Sequence, residues 1–210
     1  MQEAYNTVRQ ESRIEFVVNK SRFIGWCYPV KTEAEALEKL EAIRKKHWDA
    51  THNCYAYAVG DRAETARFSD DGEPGGTAGM PMMEVLRQRG LTYVLVVATR
   101  YFGGVLLGAG GLVRAYSKTA ADACTAAGQV AMKRTAFYGL TVDYPLWGRV
   151  ESWLRTGGYP IHELEFLENV RVTALVPPGQ EEAFCAGCVE LTDGRIAPAL
   201  LRQEYYGWEL

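Results

Sequence analysis

Histidine is scarce in this chain, with three in 210 residues, and cysteine is little commoner at five. Cys27, Cys54 and Cys124 stand alone, and Cys185-Ala186-Gly187-Cys188 is a single C-x-x-C with no second pair. An odd, scattered set of thiols argues against a secreted disulfide scaffold and for a reducing compartment. It also falls short of the four ligands of a structural zinc site. There is no H-E-x-x-H, no G-x-S-x-G and no Gly-Lys-Ser/Thr closing a glycine loop. These absences remove the zinc-protease, α/β-hydrolase and Walker-type readings. Val94–Ala98, the longest apolar run near the middle of the chain, is far below the roughly 20 residues that span a bilayer. The first residues, MQEAYNTVRQESR, lack the apolar core of a signal peptide. The expectation is a cytoplasmic protein with no membrane attachment, no metal and no cofactor.

What is present is ordinary globular material, 48% hydrophobic and 23% charged. At this length a core forms without covalent staples. The net charge of −3 is unevenly spread. Residues 134–210 hold 6 basic and 11 acidic side chains, whereas 1–133 hold 17 basic and 15 acidic. Within 84–120, Arg87, Arg89, Arg100, Arg114 and Lys118 face Glu84 alone. That local excess suits an anionic partner, but the chain is not basic enough for a simple nucleic-acid coat.

The hydrophobic pattern predicts an α+β protein of two domains, 1–132 and 133–210. In the first, 13–18 and 22–30 form a hairpin across Asn19-Lys20-Ser21, and Thr32-Glu33-Ala34-Glu35 is a capping box opening a helix to about His47. Strands are expected at 53–59, 66–69 and 92–99, with helices at 77–88 and 110–127. In the second, strands at 135–144, 161–167, 170–176 and 199–206 alternate with helices at 146–156 and 178–191. That βαββαβ order is the ferredoxin-like split-βαβ arrangement.

The informative segment is 67–119. Ten glycines fall within 72–111, where average usage gives roughly three. Nine of them fall in two loops, 70–79 and 103–111, each running into a predicted helix whose free N–H groups favour an anion. Beside them stand Arg100-Tyr101-Phe102 at a strand end, and Arg114 and Lys118 one helical turn apart on one face. Basic groups interleaved with aromatics suit phosphate contact and base stacking. The competing arrangement buries Arg100 and Arg114 against Asp70, Asp71 or Glu73 as an internal ion-pair network. His52 and Cys54, two apart on a strand, admit a thiol–imidazole reading.

The runs Arg67–Pro81 (RFSDDGEPGGTAGMP), Thr99–Gly104 (TRYFGG) and Leu107–Tyr116 (LGAGGLVRAY), with Lys20–Ile24 (KSRFI) and His52–Ala56 (HNCYA) upstream, resemble the signature of the IMPACT family, also called the YigZ family. The resemblance covers about residues 18–125. It implies an N-terminal domain like domain IV of elongation factor G, of the ribosomal-protein second-domain type, and a ferredoxin-like C-terminal domain. Eukaryotic members are translational regulators with an additional N-terminal RWD domain, for which the early motifs here leave no room. For bacterial members the resemblance implies RNA or ribosome association.

The leading expectation is therefore a non-enzymatic RNA- or ribosome-associated protein that tunes translation. Arg100, Arg114 and Lys118 would neutralise phosphates and Tyr101 would offer a stacking surface. Lys20 and Arg22 would extend the patch, and Gly75, Gly76, Gly103, Gly104, Gly110 and Gly111 would let backbone approach the ligand. One alternative is a phosphorylated small molecule or nucleotide at the loop–helix ends, with Asp70, Asp71 or Glu73 holding a cation or acting as base. Another is a protein-interaction module using the acidic second domain.

Overall fold

The computed structural model describes residues 4–209. The chain divides into two compact units, Met1–Ala131 with Gly207–Leu210, and Met132–Tyr206. The architecture is α+β throughout.

The first unit is built on an antiparallel sheet, in the order β2 (Ser12–Val18), β3 (Ser21–Pro29), β6 (Val94–Tyr101), β4 (His52–Val59), β5 (Thr65–Ser69). The β2–β3 hairpin closes on Asn19 and Lys20, with Val18 paired to Ser21. Both turn residues have positive φ, 45° and 64°. A two-residue turn with positive φ at both positions matches the twist of the strands it joins. Helix α1 (Glu33–Lys46) covers one face, packing Ala36, Leu40 and Ile43 over Ile24, Trp26, Leu95 and Val97. Its start departs slightly from the predicted capping box. Thr32 accepts the Glu35 amide at 3.2 Å, but the Glu35 carboxylate reaches back to the Lys31 amide at 2.8 Å. Helices α2 (Gly79–Gln88) and α3 (Gly108–Ala126) cover the other face over Phe23, Cys54, Val96 and Ala98. Because helices bury both faces of β6, it reads in sequence as an unbroken apolar run.

Strand β1 (Ala4–Val8) is absent from the expected strands, although Tyr5, Thr7 and Val8 are β-favouring types. Tertiary hydrogen bonds hold it, since the Thr92 amide donates to Asn6 O at 2.9 Å and the Arg9 amide to Gly128 O at 2.7 Å.

In the second unit β9 (Val170–Val176) lies between β7 (Gln129–Val142) and β8 (Ile161–Phe166), and β10 (Ala199–Glu209) pairs with β7. Helices α4 (Tyr144–Thr156) and α5 (Glu181–Leu191) place Val150, Leu154, Phe184 and Cys188 against Leu140, Val172 and Ala174. The order β10-β7-β9-β8 is the strand arrangement that the split-βαβ pattern requires. Strand β7 begins six residues before its predicted start, and α5 starts after the Pro177-Pro178-Gly179 turn rather than at Pro178.

Candidate functional site

The predicted site residues collect at one end of the first unit's sheet, where β6 ends, β4 begins and the β2–β3 turn comes round. Arg100, near the end of β6, is almost wholly buried. Its Nη1 donates to Glu73 Oε1 at 2.6 Å and its Nη2 to Ser21 Oγ at 3.2 Å. The Tyr116 hydroxyl donates to the same Glu73 oxygen at 2.6 Å. Phe23 and Phe102 flank the guanidinium at 5.5 and 5.4 Å. The Arg100 and Glu73 side chains are only 5% and 3% exposed, so no phosphate can reach this arginine. Arg100 is thus an internal ion-pair residue rather than a phosphate contact.

The three acidic residues do not converge on a cation. The Asp70 carboxylate accepts the Gly76 amide at 2.8 Å on one oxygen, and the Ala78 and Gly79 amides at 3.0 and 2.8 Å on the other. It therefore occupies the anion position at the N-terminus of α2. Asp71 Oδ2 accepts the Asn53 amide at 2.6 Å. Glu73 is committed to Arg100 and Tyr116. The loop carrying Gly75 and Gly76 is closed on the chain's own carboxylate, which displaces it from the predicted ligand-binding role.

His52 and Cys54 are not a catalytic pair. His52 Nδ1 lies 2.8 Å from Asp71 O, so this nitrogen carries the proton, while Nε2 stands 3.8 Å from Glu73 Oε2. The Cys54 thiol donates to Asp70 O at 3.0 Å. Burial pushes its pKa up to about 12, against a weaker opposing hydrogen bond from Tyr116. A protonated, buried thiol is a poor nucleophile at neutral pH.

Tyr101 is also engaged. Its hydroxyl donates to Asp49 Oδ1 at 3.0 Å and pairs with His47 Nδ1 at 2.9 Å. The Arg22 guanidinium covers its ring at 5.3 Å. Arg22 is itself paired with Glu15 at 2.7 Å. Tyr101 is accordingly not an open stacking platform. Lys118 pairs with Asp122 at 2.5 Å and lies over Phe16.

The second glycine loop differs from the first. Helix α3 starts from Leu107 with no side-chain cap, and its first turn is Gly108-Ala109-Gly110-Gly111 with no acidic residue. Gly108, Ala109 and Gly110 are exposed. Gly103 has a packing task, because a Cβ there would fall 2.0 Å from Lys20 O. This contact seats the loop on the β2–β3 turn. Gly104 and Gly110 face open space or the tip of Arg114. Arg114 is exposed and Lys20 is exposed, and neither forms an ion pair among the described residues. A shallow cavity of about 250 Å³ lies beside them, between Phe16, Val18 and Asn19 on one side and Leu107, Arg114 and Lys118 on the other.

One residue was missed in sequence. Trp48 follows α1 and is 83% exposed. Its segment is stitched to the same sheet end, through the Thr51 amide on Arg100 O at 2.9 Å and the Phe102 amide on Thr51 Oγ1 at 3.0 Å. Phe102 is itself 44% and Leu106 84% exposed. The available signal was Lys45-Lys46-His47-Trp48, a basic–aromatic run at a helix end.

Residues 19–124 match the Impact N-terminal domain family, and residues 140–195 match a domain of unknown function, DUF1949. The chain is 42% identical over 195 residues to the IMPACT family member YvyE of Bacillus subtilis, covering 93% of this chain and 90% of that protein. It is 32% identical over 181 residues to the IMPACT family member YigZ of Escherichia coli, covering 85% and 89%. A crystal structure described as a hypothetical protein superposes with a TM-score of 0.61 at 29% identity, over 97% of this chain and 100% of that one. The chain belongs to the IMPACT family.

Proposed function

We propose that the chain binds single-stranded RNA, in free or ribosomal form, at this end of its first unit, and that it regulates translation by binding rather than by catalysis. The observation that carries the reading is the contrast between two glycine-rich helix starts. Asp70 fills that of α2, while that of α3 is uncapped, exposed and flanked by Arg114, with Lys20 packed on Gly103 in the loop that leads into it. Free helix N–H groups with adjacent cations form an anion seat that tolerates any nucleotide sequence. Trp48 and Phe102 supply exposed ring faces, where each stacked base contributes about 1–3 kcal/mol. The phosphate set is thus Lys20, Arg114 and Lys118, with Arg100, Arg22 and Tyr101 shaping the support beneath. A phosphorylated small molecule in the cavity beside Arg114 is the second reading, favoured by that cavity's two cations.

The test is titration of fluorescent single-stranded RNA with the whole protein, alongside Arg114→Ala and Trp48→Ala. Both variants should keep the melting temperature and bind at least several-fold more weakly. Unchanged RNA affinity in both variants would reject the reading.

A further inference from the structure

The opposite end of the first unit holds a cavity of about 590 Å³ that the RNA reading does not use. It lies between β1, the β4–β5 connection, the C-terminal turn of α2 and the segment leading into β6. This volume falls within the range of small-molecule sites. Its floor is apolar, formed by Ala58, Ala66, Met83, Leu86 and Leu91. Four of these are core residues, with Ala58 at 3%, Met83 at 1%, Leu86 at 0% and Leu91 at 3% exposure. The floor is therefore set by packing and does not collapse when the cavity empties.

The mouth is cationic. Arg62 and Arg87 line it, and both are exposed. Among the described residues neither guanidinium takes part in an ion pair. The Asp61 carboxylate also lines the cavity and accepts the Tyr93 hydroxyl at 2.9 Å. The loop that presents Arg62 is fixed by its own bonds. The Ala63 amide donates to Gly60 O at 2.9 Å, and the Arg62 amide to Glu64 Oε2 at 3.1 Å. Tyr5, Asn6, Asp61 and Thr92 add polar groups to the rest of the lining. Two unpaired guanidiniums above an apolar floor complement a ligand with an apolar body and one planar anionic group.

We propose that this cavity is a binding site for a small organic acid, an aromatic or branched aliphatic body carrying a single carboxylate. The body would sit on Met83, Leu86 and Ala66, and the carboxylate would span Arg62 and Arg87. The site lies away from the RNA surface and stands or falls without it.

The probe is 1-anilinonaphthalene-8-sulfonate, an apolar ring system with one anionic group, followed by fluorescence with the whole protein. Its neutral counterpart, N-phenyl-1-naphthylamine, serves as control. Saturable binding of the sulfonate at one equivalent is expected, with the neutral compound at least tenfold weaker. Arg62→Gln with Arg87→Gln, both at exposed positions, should weaken the sulfonate at least tenfold and leave the melting temperature unchanged. Arg114→Ala should leave sulfonate binding unaltered. Equal affinity for both compounds, or an unaffected double variant, would overturn the proposal. So would the absence of saturable binding by the wild-type chain.

Discussion

Glu73 shows what a single residue in the glycine-rich segment does. Its carboxylate neutralises Arg100 and accepts the Tyr116 hydroxyl in a site from which water is excluded. Arg100 Nε already lacks a partner, and Glu73 is the one carboxylate paired with this guanidinium among the described residues. Glu73→Ala leaves a buried guanidinium unpaired and should cost about 3–5 kcal/mol, read as a lower urea midpoint with an unchanged slope. Arg114→Ala, on an exposed side chain, should stay within about 0.5 kcal/mol of wild type in the same measurement. In sequence the two arginines look alike, because each sits beside glycines and aromatics. Only the pleat of β6, which turns Arg100 inward, separates them. His47 carries a pH effect. Burial lowers its pKa, and Lys46, Arg22 and Arg13 add to the effect against Asp49. Its Nε2 has no hydrogen-bond partner, so a second proton there would be buried without an acceptor. A depressed native pKa means that the unfolded chain takes up the proton first as pH falls. The stability contributed by neutral His47 is therefore intact above the unfolded value of about 6.5 and declines below it until the native pKa is passed. Melting curves from pH 8 to pH 5 should show that decline, and His47→Gln should flatten it.

At the scale of elements, the two glycine-rich loops explain why the site was half legible. Each ends in a helix start, and composition alone gives both the same anion-binding character. The difference is tertiary. Asp70 lies eight and nine residues before the amides it accepts, and the loop must fold back before its carboxylate reaches them. Sequence spacing near the helix gives no sign of it. For α3, no residue from 103 to 111 is a side-chain acceptor, and the open start could be read directly. The elements themselves followed periodicity where an apolar face was strong, as in α1 and β6. They departed where tertiary pairing added or lengthened a strand, as in the short β1 and in β7, which extends back to Gln129. The openness of α3 yields a prediction in which stability and function move apart. Ala109→Glu places a carboxylate in an exposed first turn that has no acidic residue. Interaction with the helix dipole should hold or raise stability by about 0.3–1 kcal/mol. The same charge would occupy the anion seat, so RNA affinity should fall as the melting temperature holds or rises. A fall in both would place the N-terminus of α3 in the structural framework instead.

For the whole molecule, the distribution of charge matters more than its sum. No helix among the described residues is long and apolar enough to cross a membrane. The acidic excess lies in residues 134–210, and the cations that remain exposed and unpaired at the candidate site, Lys20 and Arg114, lie in the other part of the chain. A polyanion would therefore be drawn to the first unit and repelled along the second, so the net charge of −3 does not oppose the proposed RNA contact. This shapes the salt response. Each phosphate neutralised on a single strand contributes about −0.7 to the slope of log K against log salt concentration. With Lys20, Arg114 and Lys118 as contacts, the wild-type slope should be about −2, and Arg114→Ala should remove roughly one contact's share along with its affinity. Trp48→Ala should behave differently, weakening binding at every salt concentration while leaving the slope in place, because stacking releases no counterions. A small phosphorylated ligand in the cavity beside Arg114 would respond more weakly to salt and would be indifferent to Trp48. Anisotropy titrations of the three proteins between 50 and 300 mM salt (about a sixfold range, wide enough to resolve one phosphate) separate the two readings. Parallel lines for wild type and Arg114→Ala would remove Arg114 from the phosphate set, and with it the open start of α3 as the seat of the RNA.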